Sequence, residues 1–176
     1  PISFEVFADN FTDMLKQAYE INSWGKNVYV KIPVVNSKGF FTGKVIKELS
    51  DKGIKLNITA VYSLEQTKKI FSQLNKKTKS IISIFAGRMA DQGKDPLPIF
   101  KKSISLTKKS KNIKILWAST REAYNYIQAR QLNCDIITMP PKIINQIKLF
   151  GKSSKFMTLA TVRGFLKDSK KSRFKI

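Results

Sequence analysis

Six short apolar runs punctuate the chain, and each is followed by a longer segment whose apolar residues recur at every third or fourth position. "ISFEVFA" (2–8) reads as a strand and "FTDMLKQAYEINSW" (11–24) as an amphipathic helix, with Met14, Leu15, Ala18 and Ile21 on its apolar face and Asn10 or Thr12 as cap. "NVYVKIP" (27–33) precedes "GKVIKELSDKG" (43–53), where Gly53 stands where a helix C-terminus favours a left-handed residue. "KLNITAVY" (55–62) precedes "SLEQTKKIFSQL" (63–74), whose Ser63 and Gln66 have the spacing of a capping box. "SIISIF" (80–85) leads into a Gly-containing loop and a helix over 96–109. "IKILWAS" (113–119) leads into "REAYNYIQARQL" (121–132), and "DIITMP" (135–140) into "KIINQIKLF" (142–150). A last amphipathic segment over 155–170 carries Phe156, Leu159, Val162 and Leu166 on one face.

Repeated strand-then-helix units predict an α/β fold with a parallel sheet covered by helices, either a doubly wound open sheet or a (β/α)8 TIM barrel. The glycine fingerprint of dinucleotide-binding sheets follows none of the strands, and polar residues recur at strand ends, which favours the barrel. A barrel needs eight strands. The expectation is therefore a single domain over 1–176, covering six βα units as strands three to eight, with a C-terminal helix at 155–170 and the first two βα units either lost or lying ahead of Pro1.

Strand side chains alternate between faces, and in a closed barrel one parity points inward. Read so, Ser3, Glu5 and Phe7 share one face, as do Tyr29 and Lys31, Asn57 and Thr59, Ser83 and Phe85, and Trp117 and Ser119, with Arg88 and Arg121 just beyond two strand ends. Lys31 would then stand among apolar walls, where desolvation favours a neutral amine able to attack a carbonyl and form a Schiff base. A lysine that snorkels to solvent is the plainer alternative. Glu5, the one carboxylate inside a predicted strand, either shuttles protons for that amine or forms a structural ion pair with it. Asn57, Thr59 and Ser83 would also serve as satisfied polar groups of a barrel layer, and Phe85 as packing. Arg88, Arg121 and the Ser119 hydroxyl make a candidate phosphate clamp, because guanidinium groups meet phosphate oxygens in a fork.

Composition narrows the chemistry. Histidine is absent, which removes the usual general base, the usual catalytic triads and most zinc sites, so any chemistry must run on lysine, carboxylates, hydroxyls and backbone. A hydrophobic content of 42% supports a folded core, no run approaches a membrane span, and the lone Cys134 suits a reducing, cytoplasmic setting. The formal charge of +21 raises the question of nucleic acid. Lysine supplies nearly all of it, arginine only five residues, and the lysines are scattered along the sequence, so a solvated basic surface is the expected reading, with neither nucleic acid nor membrane as partner.

The residues in their order resemble the small-subunit transaldolase family, class I aldolases on a (β/α)8 barrel. "SFEVFA", "NVYVKIPV", "GIKLNITAVYS", "SIFAGRMADQG", "ILWASTR" and "DIITMPPKII" are similar, in sequence order, to that family's strand-end motifs. The resemblance implies that Lys31 forms an imine with a ketose phosphate, with Glu5 and Thr59 handling a catalytic water. It further implies that Asn57 and Ser83 hold substrate hydroxyls and that Arg88, Ser119 and Arg121 bind phosphate. Such enzymes move a dihydroxyacetone unit from sedoheptulose 7-phosphate to glyceraldehyde 3-phosphate without a cofactor, in the pentose phosphate pathway, and form ring-like homo-oligomers. The similar fructose-6-phosphate aldolases carry a tyrosine where this chain has Phe85; a phenyl ring cannot protonate an enamine, which favours transfer over cleavage. Two further βα units of the family supply a catalytic aspartate and an asparagine for which these residues hold no substitute. The rival expectations are a fructose-6-phosphate aldolase-like lyase and a catalytically silent barrel fragment or basic binding protein.

Overall fold

The fold rests on what alternation does to strand sequences that are apolar at every second position. In the computed structural model, which describes residues 1–172, the strands are β1 (Ile2–Glu5), β2 (Val28–Pro33), β3 (Leu56–Val61), β4 (Ser80–Phe85), β5 (Ile113–Ala118) and β6 (Ile136–Ile137). The helices between them are α1 (Phe11–Ser23), α2 (Gly43–Asp51), α3 (Leu64–Gln73), α4 (Ala86–Ala90), α5 (Leu97–Thr107) and α6 (Tyr124–Gln131), and α7 (Pro141–Ile147) and α8 (Ser154–Ser172) follow. The chain resolves into two compact units, Pro1–Pro140 and Pro141–Ile176. No helix among the described residues is long and apolar enough to cross a membrane.

All strand pairs are parallel, and the sheet order is the sequence order, β1 to β6. A doubly wound sheet reverses its order at a switch point, so this α/β sheet is wound in one direction only, as a curled half-barrel. One parity of each strand meets the helices. Val28, Val30 and Ile32 of β2, Leu56 and Ile58 of β3, and Ile82 and Ile84 of β4 are buried in one cluster with Met14, Ala18, Val45, Leu49, Ile70 and Phe100 from the helices. Each buried Val, Leu, Ile, Met or Phe side chain among these contributes about 1.5–3 kcal/mol by leaving water. The opposite parity forms a smaller cluster of Ile81, Leu116 and Ala118, with Tyr29, Phe85 and Ile136 at its margin.

Two backbone irregularities reset this alternation. In β3, Ile58 pairs with Ile82 but Val61 pairs with Ile84, so β3 carries one extra residue. Ala60 absorbs it at φ 59°, a left-handed conformation that costs a non-glycine residue about 1–2 kcal/mol. Thereby Ile58 and Val61 both enter the helix-facing core while Thr59 faces the other way. Ser119, just past β5, has φ 63°.

Several expectations are corrected. Trp117 does not share a face with Ser119: it is fully buried on the helix side, stacked on Phe100 at 4.4 Å between centroids. Phe7 lies beyond the end of β1 and is 93% exposed, since the strand stops at Glu5. The Gly-containing stretch after β4 is the short helix α4, β6 shrinks to two residues, and α6 starts at Tyr124, leaving Arg121 in the connecting segment. Helix α8 forms as expected, yet no residue of it is buried, and Phe156, Leu159, Val162 and Leu166 are exposed.

Local signals elsewhere act as their chemistry dictates. The Asn10 side chain accepts the Asp13 N–H at 2.9 Å, Gly53 adopts φ 77° just past α2, and the Ser63–Gln66 capping box closes in both directions. Gly87 of α4 meets the Ser119 backbone so closely that a Cβ there would lie 1.7 Å from the Ser119 carbonyl oxygen. Ser63→Ala should cost about 1 kcal/mol in urea-unfolding free energy, the usual loss of an N-cap. Gly87→Ala should cost more, about 1–3 kcal/mol, because α4 and the 119–121 segment must move apart. A Gly87→Ala protein as stable as the parent in the same titration would contradict the close approach.

Candidate active site

At the C-terminal ends of β2 to β6 the inner parity and the two irregular turns converge on a pocket of about 340 Å³. From β2 comes Lys31, from β3 Asn57 and Thr59, from β4 Ser83 and Phe85, from α4 Arg88, and the segment between β5 and α6 brings Ser119 and Arg121. Eight of the nine candidate residues therefore meet in one place. Glu5 is not in its wall, but pairs with Lys31 across the β1–β2 register, where the two Cα atoms are partners. Leu116, Ala118 and Thr138 complete the lining. The alternation reading missed the first two because it assigned β5 the wrong parity through Trp117.

Polar contacts order the inner face. The Asn57 amide Nδ2 donates to Ser3 Oγ at 3.0 Å, and Ser83 Oγ donates to Asn57 Oδ1 at 2.6 Å, so one hydrogen-bonded row links β1, β3 and β4. Thr59 is buried, and its Oγ1 has no hydrogen-bond partner among the described residues. A buried hydroxyl left unpaired is costly, so a ligand or a water with access to this wall would gain a bond there.

Lys31 Nζ lies 3.3 Å from Glu5 Oε2, with the two side chains 29% and 41% exposed. This corrects the expectation of apolar walls: Val30 and Ile32 point to the helices, whereas the lysine points into a polar, half-open pocket and faces a carboxylate. At that exposure the pair adds little stability, about 0–1 kcal/mol. Chemically it offers an amine with a proton acceptor already in contact.

At the pocket's other end the basic groups are held differently. Arg88 sits over the Phe85 ring at 5.7 Å. Arg121 donates Nε–H and Nη2–H to Asp91, at 3.0 and 2.7 Å to Oδ2. The hydrogen bonds from Arg121 hold the Asp91 carboxyl below the usual carboxylate range, so the pair persists at neutral pH and is lost only as pH falls through that lowered value. Asp91 escaped the sequence reading because it lies thirty residues before its partner, in a segment with no strand parity to place it. The two donors committed to Asp91 leave the far edge of the guanidinium for an anion.

Among the described residues no group of three or more His, Cys, Asp or Glu is placed to hold a metal ion. Cys134 is half-buried and donates to the carbonyls of Ile115 and Ile136; burial pushes its thiol up to about 11, so it stays protonated near neutrality.

Comparison with known proteins bears on this arrangement. The family model described as Transaldolase/Fructose-6-phosphate aldolase matches residues 1–176. A protein named "Probable transaldolase" from Clostridioides difficile is 31% identical over 148 residues, which are 84% of this chain and 65% of that protein. Proteins of the same name from Petrotoga mobilis and Nitrosopumilus maritimus are 33% and 28% identical over 172 residues, each match covering 97% of this chain and 72% of the relative. The chain thus spans about two thirds of the length of these curated relatives. With a family match that runs from the first residue to the last, this chain belongs to the transaldolase/fructose-6-phosphate aldolase family.

Proposed function

We propose that the protein is a transaldolase that works through an imine on Lys31, passing a dihydroxyacetone unit from sedoheptulose 7-phosphate to glyceraldehyde 3-phosphate. In this reading the six strands belong to a (β/α)8 barrel, and the pocket lies at the C-terminal strand ends, where such barrels gather their chemistry. The observation that carries it is the contact between Lys31 Nζ and Glu5 Oε2 at the pocket edge, beside the unpartnered Thr59 hydroxyl.

The contact suits imine formation. When a ketose carbonyl enters, the ammonium proton passes from Lys31 to Glu5, and the freed amine attacks the ketone carbon to give a carbinolamine. Glu5 returns the proton to the carbinolamine hydroxyl, which departs as water and leaves a protonated imine. That nitrogen then accepts the electron pair when the carbon–carbon bond breaks, while the adjoining C4 hydroxyl passes its proton through the water at Thr59 to the Glu5 carboxylate and becomes the aldehyde of the departing aldose, leaving an enamine. Thr59 Oγ1 is the group that would orient the water. Asn57 and Ser83, already locked to one another, present their remaining hydrogen-bonding capacity to sugar hydroxyls. Arg88, Ser119 and the free edge of Arg121 take the phosphate. Phe85 offers the enamine no proton, so the enamine persists until an acceptor aldehyde arrives, which supports transfer over simple cleavage.

Incubation with fructose 6-phosphate followed by borohydride should trap a secondary amine on the peptide containing Lys31, and Lys31→Met should trap none; an adduct elsewhere, or no adduct, would sink the reading. Asp91→Asn should raise KM for the phosphorylated ketose by about tenfold with kcat little changed, since it loosens the arginine rather than the amine. Equal falls in kcat and kcat/KM would instead put Asp91 in the chemical step.

A further inference from the structure

The fold sorts charge between the two ends of its sheet. In the connecting segments that lead into β2 to β6 there are nine lysines against one acid, Asp135. In the stretches that leave the C-terminal strand ends of the first unit, α4 included, the basic groups Lys38, Arg88, Lys94 and Arg121 face four acids. Nine lysines that look scattered along the sequence are therefore gathered at the end opposite the pocket described above, while the others stand mainly on helices.

Two of these segments are fastened together. Asn112 Nδ2 donates to the carbonyls of Lys76 and Lys77, and the Asn112 carbonyl accepts the Ser80 N–H at 2.9 Å. This joins "LNKKTK" (74–79) to "KKSKN" (108–112). Among the described residues Lys77, Lys79, Lys108, Lys109 and Lys111 have no carboxylate partner. Lys76, by contrast, turns back to cap the carbonyls of Phe71 and Leu74.

Beside the second segment, between α5 and the turn that precedes β6, lies a groove of about 530 Å³. Its apolar side chains are Ile104, Ile113 and Leu132, and Lys101, Lys108, Lys111 and Lys114 stand around them. Ser110 also lines it, and its hydroxyl is buried without a hydrogen-bond partner among the described residues. The one carboxylate there, Asp135, is already engaged by the Ile115 N–H at 2.9 Å and by Lys114.

We infer that this end of the protein binds single-stranded nucleic acid, with the unpaired lysines on the phosphates and one nucleoside seated in the groove. Phosphate neutralisation by lysine supplies affinity without reading sequence, and neither fastened segment contains an arginine or an aromatic residue to read bases. An inorganic phosphate chain would leave the apolar floor of Ile104, Ile113 and Leu132 unfilled, whereas a nucleoside covers it. The site is separate from the Lys31 pocket.

The test is fluorescence anisotropy of a labelled 20-nucleotide oligothymidylate, titrated with the whole protein across a series of salt concentrations. With five phosphates neutralised, log Kobs should fall against log salt with a slope of about −3.5. The triple variant Lys108→Gln, Lys109→Gln, Lys111→Gln should flatten that slope by about 2 and weaken binding at least tenfold at low salt. A triple variant with the same net charge, Lys16→Gln, Lys38→Gln, Lys68→Gln, should bind within about twofold of the parent. Absence of binding at low salt would overturn the inference, as would equal weakening by both triples, or inorganic polyphosphate of matched charge binding more tightly than the oligonucleotide. Borohydride trapping at Lys31 serves as a separate readout, and the lysine triples should leave it unchanged.

Discussion

The parallel register of β1, β2 and β3 sets Glu5 opposite Lys31 and Lys31 opposite Asn57, and this row governs what the rest of the pocket can be. Alternation then leaves no freedom: with Val28, Val30 and Ile32 committed to the helices, Tyr29 and Lys31 must face the other way. A one-residue slip of β2 would drive the ammonium into the helix-facing core and the valines into the pocket, so hydrophobic burial enforces the position of the amine. The same logic reaches β4, where Ser83 closes the hydrogen-bonded row through Asn57 back to Ser3. The site is thus a by-product of packing on the far side of the sheet.

How much of this was legible in the sequence depended on where period-two alternation holds. It holds in β2 and β4, and there Lys31, Ser83 and Phe85 could be placed on a face from sequence alone. It fails where the backbone turns left-handed. Thr59 was placed correctly only because the irregularity at Ala60 comes after it, whereas Ser119 reached the pocket against the parity of Trp117, whose bulk belongs under α5. Helix α4 was hidden because "AGRMA" is too short to show a period and contains a glycine, whose actual reason is the approach of the Ser119 carbonyl. Long-range ion pairs leave no local mark, which is why Arg121 was foreseen and its Asp91 partner was not.

Charge was the least legible property. A run of lysines tells nothing of its neighbours in space until the αβ turns are stacked by the sheet, and the amide of Asn112 that holds two such turns together is one residue in a polar loop. Once stacked, they give the molecule two dissimilar ends: one where a carboxylate answers the lysine of β2 and an aspartate answers Arg121, and one where most ammonium groups have no carboxylate partner among the described residues.

The left-handed turn at Ser119 sets folding against use. Glycine there would relax the backbone by about 1 kcal/mol or more and remove the only side chain that the turn's first residue lends to the pocket. Selection of variants for heat tolerance alone would drift toward that glycine, while any demand for the hydroxyl in the pocket would hold the serine. Which residue survives a laboratory evolution run would report what the position is for.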